Sequence, residues 1–198
     1  VDAARRGPSA VAVDEAGRAV LASCDIVVHS AATVAFDSPL DSAVEVNLLG
    51  SMRIAAVLNE LGVTPHLVAV STCYVAGNRR GDAPEIRVDD SPFWISDIDW
   101  RREVEGARRV RADAEAASRL PDQLATFMVA ARKELGGAGT PLLATKSEQL
   151  RQGWVKAQLV DAGRARATSL GWPDAYAYTK ALGEKALGQD YRLDITVH

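Results

Sequence analysis

Cysteine, methionine, histidine and aromatic side chains are all scarce in this 198-residue chain: two Cys, two Met, three His and 6% aromatic residues. The two cysteines, Cys24 and Cys73, lie far apart and form neither a metal-ligand spacing nor a redox pair, which excludes a disulfide-stapled scaffold. Cys73 is expected to be a small buried thiol. His29, His66 and His198 show no ligand pattern and are read as structural. No apolar run approaches the roughly 18 residues that span a bilayer, and no signal peptide opens the chain. Positive charge is not in excess, with 23 Lys and Arg against 26 Asp and Glu, so nucleic acid has no electrostatic claim as a partner. Internal repeats and low-complexity tracts are absent. So is a Gly-x-x-Gly-x-x-Gly run after a strand near the start, where Val1 to Ser9 stand instead.

What is present suits one globular core: 47% hydrophobic and 25% charged residues. The first half alternates helix and strand. A helix is expected over Val11 to Leu21. A strand follows from Asp25, turning abruptly small at Ser30, Ala31 and Ala32 before Thr33. Small side chains after a strand let a bulky ligand approach the backbone closely. A helix is expected over Asp41 to Leu61, containing Asn47 and Gly50. Gly50 costs about 1 kcal/mol against alanine inside a helix, which points to close packing there. Leu67 to Gly77 reads as a buried parallel strand running into small hydroxyl residues and a glycine. Ligands collect at the carboxyl ends of strands in open parallel sheets, so Ser71 and Thr72 stand where a substrate oxygen is held. Alternatively, these hydroxyls cap the strand end or the next turn.

Tyr176 and Lys180 are four residues apart, and on a helix that spacing makes them neighbours. An ammonium beside a phenol favours the phenolate and lowers its pKa, so the tyrosine becomes usable for proton transfer near neutrality. Tyr178 is only two residues from Lys180 and falls on another face, which leaves Tyr176 as the candidate.

Four stretches occur in one order: His29-Ser-Ala-Ala32, Asn47-Leu-Leu-Gly50, Val70-Ser-Thr-Cys-Tyr-Val-Ala-Gly77 and Tyr176-Ala-Tyr-Thr-Lys180. Together they resemble the extended short-chain dehydrogenase/reductase superfamily. His29 to Asp37 and Tyr176 to Glu184 bring the resemblance nearest to its fatty acyl-CoA reductase branch, the male sterility type. It is strong over about residues 20–85 and 172–198 and loose between them. The fold it implies is α/β, a Rossmann-like doubly wound parallel sheet with a helical insertion. The first βαβ unit is missing, and the chain reads as truncated at both ends. Residues 1–99 would then be part of the NAD(P)-binding domain, 100–171 the helical insertion, and 172–198 the catalytic helix and following strand.

The resemblance also implies roles. Tyr176 would be the general acid, Lys180 would hold the nicotinamide ribose and depress the tyrosine pKa, and Thr72 would hydrogen-bond the carbonyl oxygen. Ser30, Ala31, Ala32 and Thr33 would lie along the cofactor, with Asn47 supporting that loop. The implied activity is NADPH-dependent reduction of fatty acyl-CoA thioesters to aldehyde or alcohol, NADH not being excluded. The implied location is cytoplasmic or peripheral to a membrane. Rival readings are a reductase or epimerase acting on a carrier-bound thioester or a nucleotide sugar, and a non-catalytic nucleotide-binding regulator on the same fold.

Roughly a hundred residues separate Thr72 from Tyr176, far more than an ordinary connection. Asn78 to Asp99 reads as a loop, and helices are expected over Arg101 to Leu120, from Pro121 to the Gly136-Gly-Ala-Gly139 stop, and over Thr145 to Ser169. Arg101, Arg102, Arg108, Arg109 and Arg111 would meet coenzyme A phosphates or, more in keeping with Glu103, Glu105, Asp113 and Glu115 nearby, form a salt-bridged exposed helix.

Overall fold

The computed structural model describes residues 13–86, 90, 98–137, 139–190 and 194–197. The chain start, most of the loop between 86 and 98, and His198 lie outside the described residues, so the expectations for them are not addressed. Three parallel strands form one sheet in the order β1-β2-β3: β1 (Ile26–His29), β2 (His66–Ala69) and β3 (Ile195–Val197). Register runs from Ile26 opposite His66 to His29 opposite Ala69, and from Leu67 opposite Ile195 to Ala69 opposite Val197. The expected strands are present but shorter, because the chain leaves the ladder where the side chains turn small.

Helix α1 (Glu15–Ala22) starts at Asp14, whose carboxylate accepts from the Gly17 amide at 2.8 Å. The single helix expected over Asp41 to Leu61 is built in three parts: α2 (Leu40–Ala43), a π turn (Val44–Leu48) and α3 (Leu49–Leu61). Gly62, at φ 68°, ends α3 in the left-handed conformation that glycine adopts without penalty. A Cβ at Gly50 would lie 3.6 Å from His29 Nε2, ordinary contact, so the close approach expected there is absent. It occurs instead at Gly163 and Gly183. A Cβ at Gly163 would stand 3.2 Å from Leu40 Cβ, and one at Gly183 would stand 2.9 Å from the Asn47 carbonyl oxygen.

Between β2 and the last helix come α4 (Trp100–Ser118), α5 (Pro121–Leu135) and α6 (Thr140–Ser169). Asp99 caps α4 through the Arg101 amide, and Pro121 occupies the first turn of α5. Helix α6 begins earlier than expected because Pro141 also fits a first turn, where its missing N–H costs nothing. Helices α5 and α6 pack together, as do α4 and α6, with Phe127 meeting Trp154 edge-on and Ala114, Val155 and Leu159 forming a small core of their own. The larger core joins the sheet to α2, α3, α4 and α7 (Ala175–Asp190) through Leu48, Met52, Leu67, Trp100, Tyr178 and Leu182. Ile26 and Val28, alternate residues of β1, stay about 60% exposed. Among the described residues, no helix is long and apolar enough to cross a membrane.

Two arginines of α4 pair with acids outside their own helix. Arg111 holds Asp41 of α2 through two nitrogens at 2.7 and 3.2 Å, and Arg108 reaches Glu45 of the π turn at 2.9 Å. Arg108 and Arg111 thus fasten α4 to the helix that packs on the sheet, while Arg101, Arg102 and Arg109 stay on its exposed face.

Candidate active site at the carboxyl end of the sheet

Where β1 ends, the chain runs through Ser30 and Ala31, both exposed, and Ala32 and Thr33, both half-buried. Asn47 fixes this turn. Its Oδ1 accepts from the Thr33 amide at 2.9 Å and its Nδ2 donates to the Thr33 carbonyl at 3.1 Å. The same Nδ2 lies 3.1 Å from the Thr179 hydroxyl on α7. Asn47 is 3% exposed, and the π turn that carries it is the irregularity in an otherwise regular helix. Single-turn π bulges of this kind are frequent at functional sites.

Where β2 ends, Thr72 caps a short 3-10 turn (Cys73–Ala76), its hydroxyl oxygen accepting from the Tyr74 amide at 3.3 Å. The Thr72 proton is left for another acceptor. Cys73 opens the turn at the uncovered end of the sheet and is exposed, which corrects the expectation of a buried thiol. The turn is held against the entry to α7. The Asn78 amide donates to the Gly171 carbonyl at 2.7 Å, and Trp172 Nε1 donates to the Val75 carbonyl at 2.9 Å. Gly77 is required here, since its φ is 78° and a Cβ would lie 2.6 Å from the Gly171 oxygen.

Helix α7 begins under an Asp174 cap on the Ala177 amide. Tyr176 is half-buried, with its ring edge-on to Phe36 at 5.9 Å and 82°. One turn on, Lys180 is 6% exposed and donates from Nζ to the Val70 carbonyl at 2.6 Å. A further turn on, the carboxylate of Glu184 accepts from the Ser71 hydroxyl. Tyr178 differs from Tyr176 in every respect that matters for proton transfer. It is 1% exposed, packs on Trp172, and donates its hydroxyl proton to Glu103 of α4, which Arg166 also holds at 2.9 Å. Burial, then the Glu103 carboxylate, push its pKa far above the ordinary phenol range.

Burial lowers the Lys180 pKa, and the Glu184 charge works against that fall. Burial raises Glu184, partly offset by the Ser71 hydroxyl and the Lys180 ammonium. His29 is lowered by burial and by Lys180, which leaves it neutral at physiological pH. A cavity of about 20 Å³ lies among His29, Asn47, Ser71, Lys180 and Glu184, room for one water.

The structure therefore gathers Ser30 to Thr33, Asn47, Thr72, Tyr176 and Lys180 around one end of the sheet. Four further groups of the same region stand outside the candidate residues: Glu184, Thr179, Phe36 and the Val70 carbonyl. Only Glu184 had a usable signal, its four-residue spacing from Lys180 on the same helix.

Residues 12–198 match the NAD-binding profile described as male sterility protein. Among curated proteins, the chain is 29% identical over 161 residues to the chloroplastic fatty acyl-CoA reductase 2 of Arabidopsis thaliana, covering 81% of this chain and 22% of that protein. It is 29% identical over 171 residues to the alcohol-forming fatty acyl-CoA reductase of Simmondsia chinensis, covering 86% and 29%. Fatty acyl-CoA reductase 8 of Arabidopsis thaliana gives 29% over 164 residues, covering 83% and 27%. The chain thus spans about a quarter of the length of these relatives. A parallel sheet whose strand ends carry a small-residue turn, a capping threonine and a Tyr-Lys helix agrees with that match over nearly every residue: the chain belongs to the male sterility protein family, an NAD-binding branch of the extended short-chain dehydrogenase/reductases.

Proposed function

We propose that this chain forms the catalytic part of an NADPH-dependent reductase of fatty acyl-CoA thioesters. One observation carries the reading. Tyr176 and Lys180 stand one turn apart on α7, over the end of the strand that delivers Thr72. The names of the relatives support the substrate class.

The residues present fit the nicotinamide-ribose side of a dinucleotide. Ser30, Ala31 and Ala32 offer a low surface with no bulky side chain, and Asn47 holds that surface rigid. Lys180 uses one N–H on Val70, so two remain for ribose hydroxyls. The bound nicotinamide supplies the hydride. The thioester carbonyl lies against the Thr72 and Tyr176 hydroxyls, which donate to its oxygen as negative charge develops there. Collapse of that oxyanion re-forms the carbonyl, breaks the carbon–sulfur bond and expels coenzyme A as the thiolate, giving an aldehyde. When the aldehyde is reduced in turn, Tyr176 delivers the proton to the alkoxide and the Lys180 charge stabilises the phenolate left behind. Helices α4 to α6 are read as a cover over the acyl chain.

Replacing Tyr176 by Phe in the intact enzyme tests the assignment. Turnover of acyl-CoA, followed by NADPH oxidation, is expected to fall by about 10²–10⁴-fold, the usual contribution of a positioned general acid, while NADPH affinity stays nearly unchanged. Full activity in Y176F would reject it. A panel of coenzyme A thioester, carrier-bound thioester and nucleotide sugar assigns the substrate class.

A further inference from the structure

Helix α7 is tied to the end of β2 at the two residues that follow the strand by two successive turns of the helix. Lys180 donates to the Val70 carbonyl, and one turn later Glu184 accepts from the Ser71 hydroxyl. Thr72 is the next residue along the strand end, and Tyr176 the next turn back along the helix. The two ties therefore fix the chain just before Thr72 against the helix that carries Tyr176. They differ in chemistry. The Val70 carbonyl is a dipole and cannot be altered by substitution, whereas Glu184 carries a full negative charge on the same helix face as Lys180. Lys180 and Glu184 also share the 20 Å³ cavity.

We propose that Glu184 is a positioning residue: anchored by the Ser71 hydroxyl, its carboxylate keeps the buried Lys180 ammonium charged over the end of β2 and so sets the alkaline limit of turnover. A buried ammonium loses its proton more readily than an exposed one, because the low-dielectric surroundings penalise its charge. A nearby anion reverses part of that loss. Glu184 is the residue in place to do it. Around the cavity, β1 contributes His29, which is neutral; β3 contributes Val197; and the helix that runs from the π turn into α3 contributes Asn47 and Ser51. Among the described residues no other anion lines it. Burial raises the Glu184 carboxyl from its ordinary value, yet at the alkaline end of the pH range it is ionised, which is where the proposal needs it.

The effect on turnover rests on the reductase reading; the effect on the lysine does not. Two measurements on the intact protein separate them. Lysine side-chain NMR, with the Lys180 signal assigned by its absence in K180R, follows the lysine titration directly. The alkaline limb of kcat against pH follows the chemistry. In E184Q the amide still accepts from Ser71 but the charge is gone, so the Lys180 titration moves to lower pH. The alkaline limb of kcat follows the lysine and shifts to lower pH. Above the new limb, kcat falls as Lys180 loses its proton, while below it kcat stays at the wild-type level. E184D restores both readings towards wild type, and a loss of packing alone would not be rescued in this way. An unmoved Lys180 titration in E184Q overturns the proposal. A shifted titration supports it even where no thioester is turned over, and in that case only the reductase reading fails.

Discussion

Replacing Gly183 by Ala sets two known effects against each other, and the structure says which wins. Gly183 lies in the interior of α7, where alanine is favoured over glycine by about 1 kcal/mol. A Cβ there would stand 2.9 Å from the Asn47 carbonyl oxygen and 3.5 Å from Leu48 Cα. Both contacts are with main-chain atoms of the π turn, which cannot rotate away as a flexible side chain would. Overpacking of this kind costs about 1–3 kcal/mol. The balance is a net loss of about 1 kcal/mol, or roughly 2–4 °C in Tm for a chain of this size. Gly106 in α4 and Gly153 in α6 supply the control, since a Cβ at either would meet nothing within 4 Å. There helix propensity acts alone, and G106A and G153A are expected to raise Tm by about the same 2–4 °C. Thermal melts of the three variants, with urea midpoints as a second measure, make a test of sign. If G183A melts higher than wild type, as G153A should, α7 is not seated on the π turn and the argument for how the site is assembled fails. G183A is also expected to weaken binding of the nicotinamide cofactor, because the residue whose carbonyl is pushed is Asn47, which holds Thr33.

Arg151 has a side chain only 8% exposed and donates to Glu148, Glu115 and Ser118 at 2.7–2.8 Å, so R151A removes a cation that two partly exposed acids share, while Glu115 keeps Arg119 and Glu148 keeps Gln152. The expected loss is about 1 kcal/mol, since both acids are partly exposed and keep other donors, read as a lowered urea midpoint. The same acids predict an acid dependence. Arg151 is the main cause that lowers Glu115 and brings Glu148 from 4.5 to about 2. A carboxyl lowered on folding stabilises the fold above its unfolded pKa, so this contribution is present above about pH 4.5 and is lost as pH falls towards 2. Glu148 is half-exposed, which keeps the contribution modest. Stability against pH should be flatter over this window in R151A, and an identical slope would remove Arg151 as the cause. Y178F removes the hydroxyl that donates to Glu103 and is expected to cost about 1–2 kcal/mol while leaving kcat within about twofold. A folded Y178F without turnover, beside an active Y176F, would exchange the roles of the two tyrosines.

The parts of this architecture that sequence shows are those governed by local geometry. Tyr176 and Lys180 declare themselves through a four-residue spacing, and β1 and β2 through apolar runs that end in small residues. The π turn at Val44–Leu48 is not visible that way, because one residue of slippage leaves the hydrophobic spacing of a helix almost intact. The contacts that orient the site join distant residues: Ser71 to Glu184 across 113 positions, Asn47 to Thr179 across 132, and Tyr178 to Glu103 across 75. No spacing rule reaches so far. The arginine run shows the same limit. Its composition suggests pairing within α4, but Arg108 and Arg111 find Glu45 and Asp41, which only folding brings near.

The segment from α4 to α6 can therefore be long without loosening the site, since the chain that joins Thr72 to Tyr176 is not what aligns them. Loop closure grows only slowly in cost with length. Alignment comes from main-chain acceptors that no substitution removes: the Val70 carbonyl under Lys180, the Gly171 carbonyl under Asn78 and the Val75 carbonyl under Trp172, with the Asn47 backbone packed against Gly183. The helical segment is still coupled to the site. Glu103 of α4 receives Tyr178 from α7 and Arg166 from α6, so three helices meet at one carboxylate, held by a tyrosine two residues along the chain from Tyr176. A displacement of α4 that breaks the Glu103 contact leaves a buried phenol without its acceptor, and the cost of that unmade hydrogen bond holds the helices and the Tyr176–Lys180 face of α7 in one arrangement.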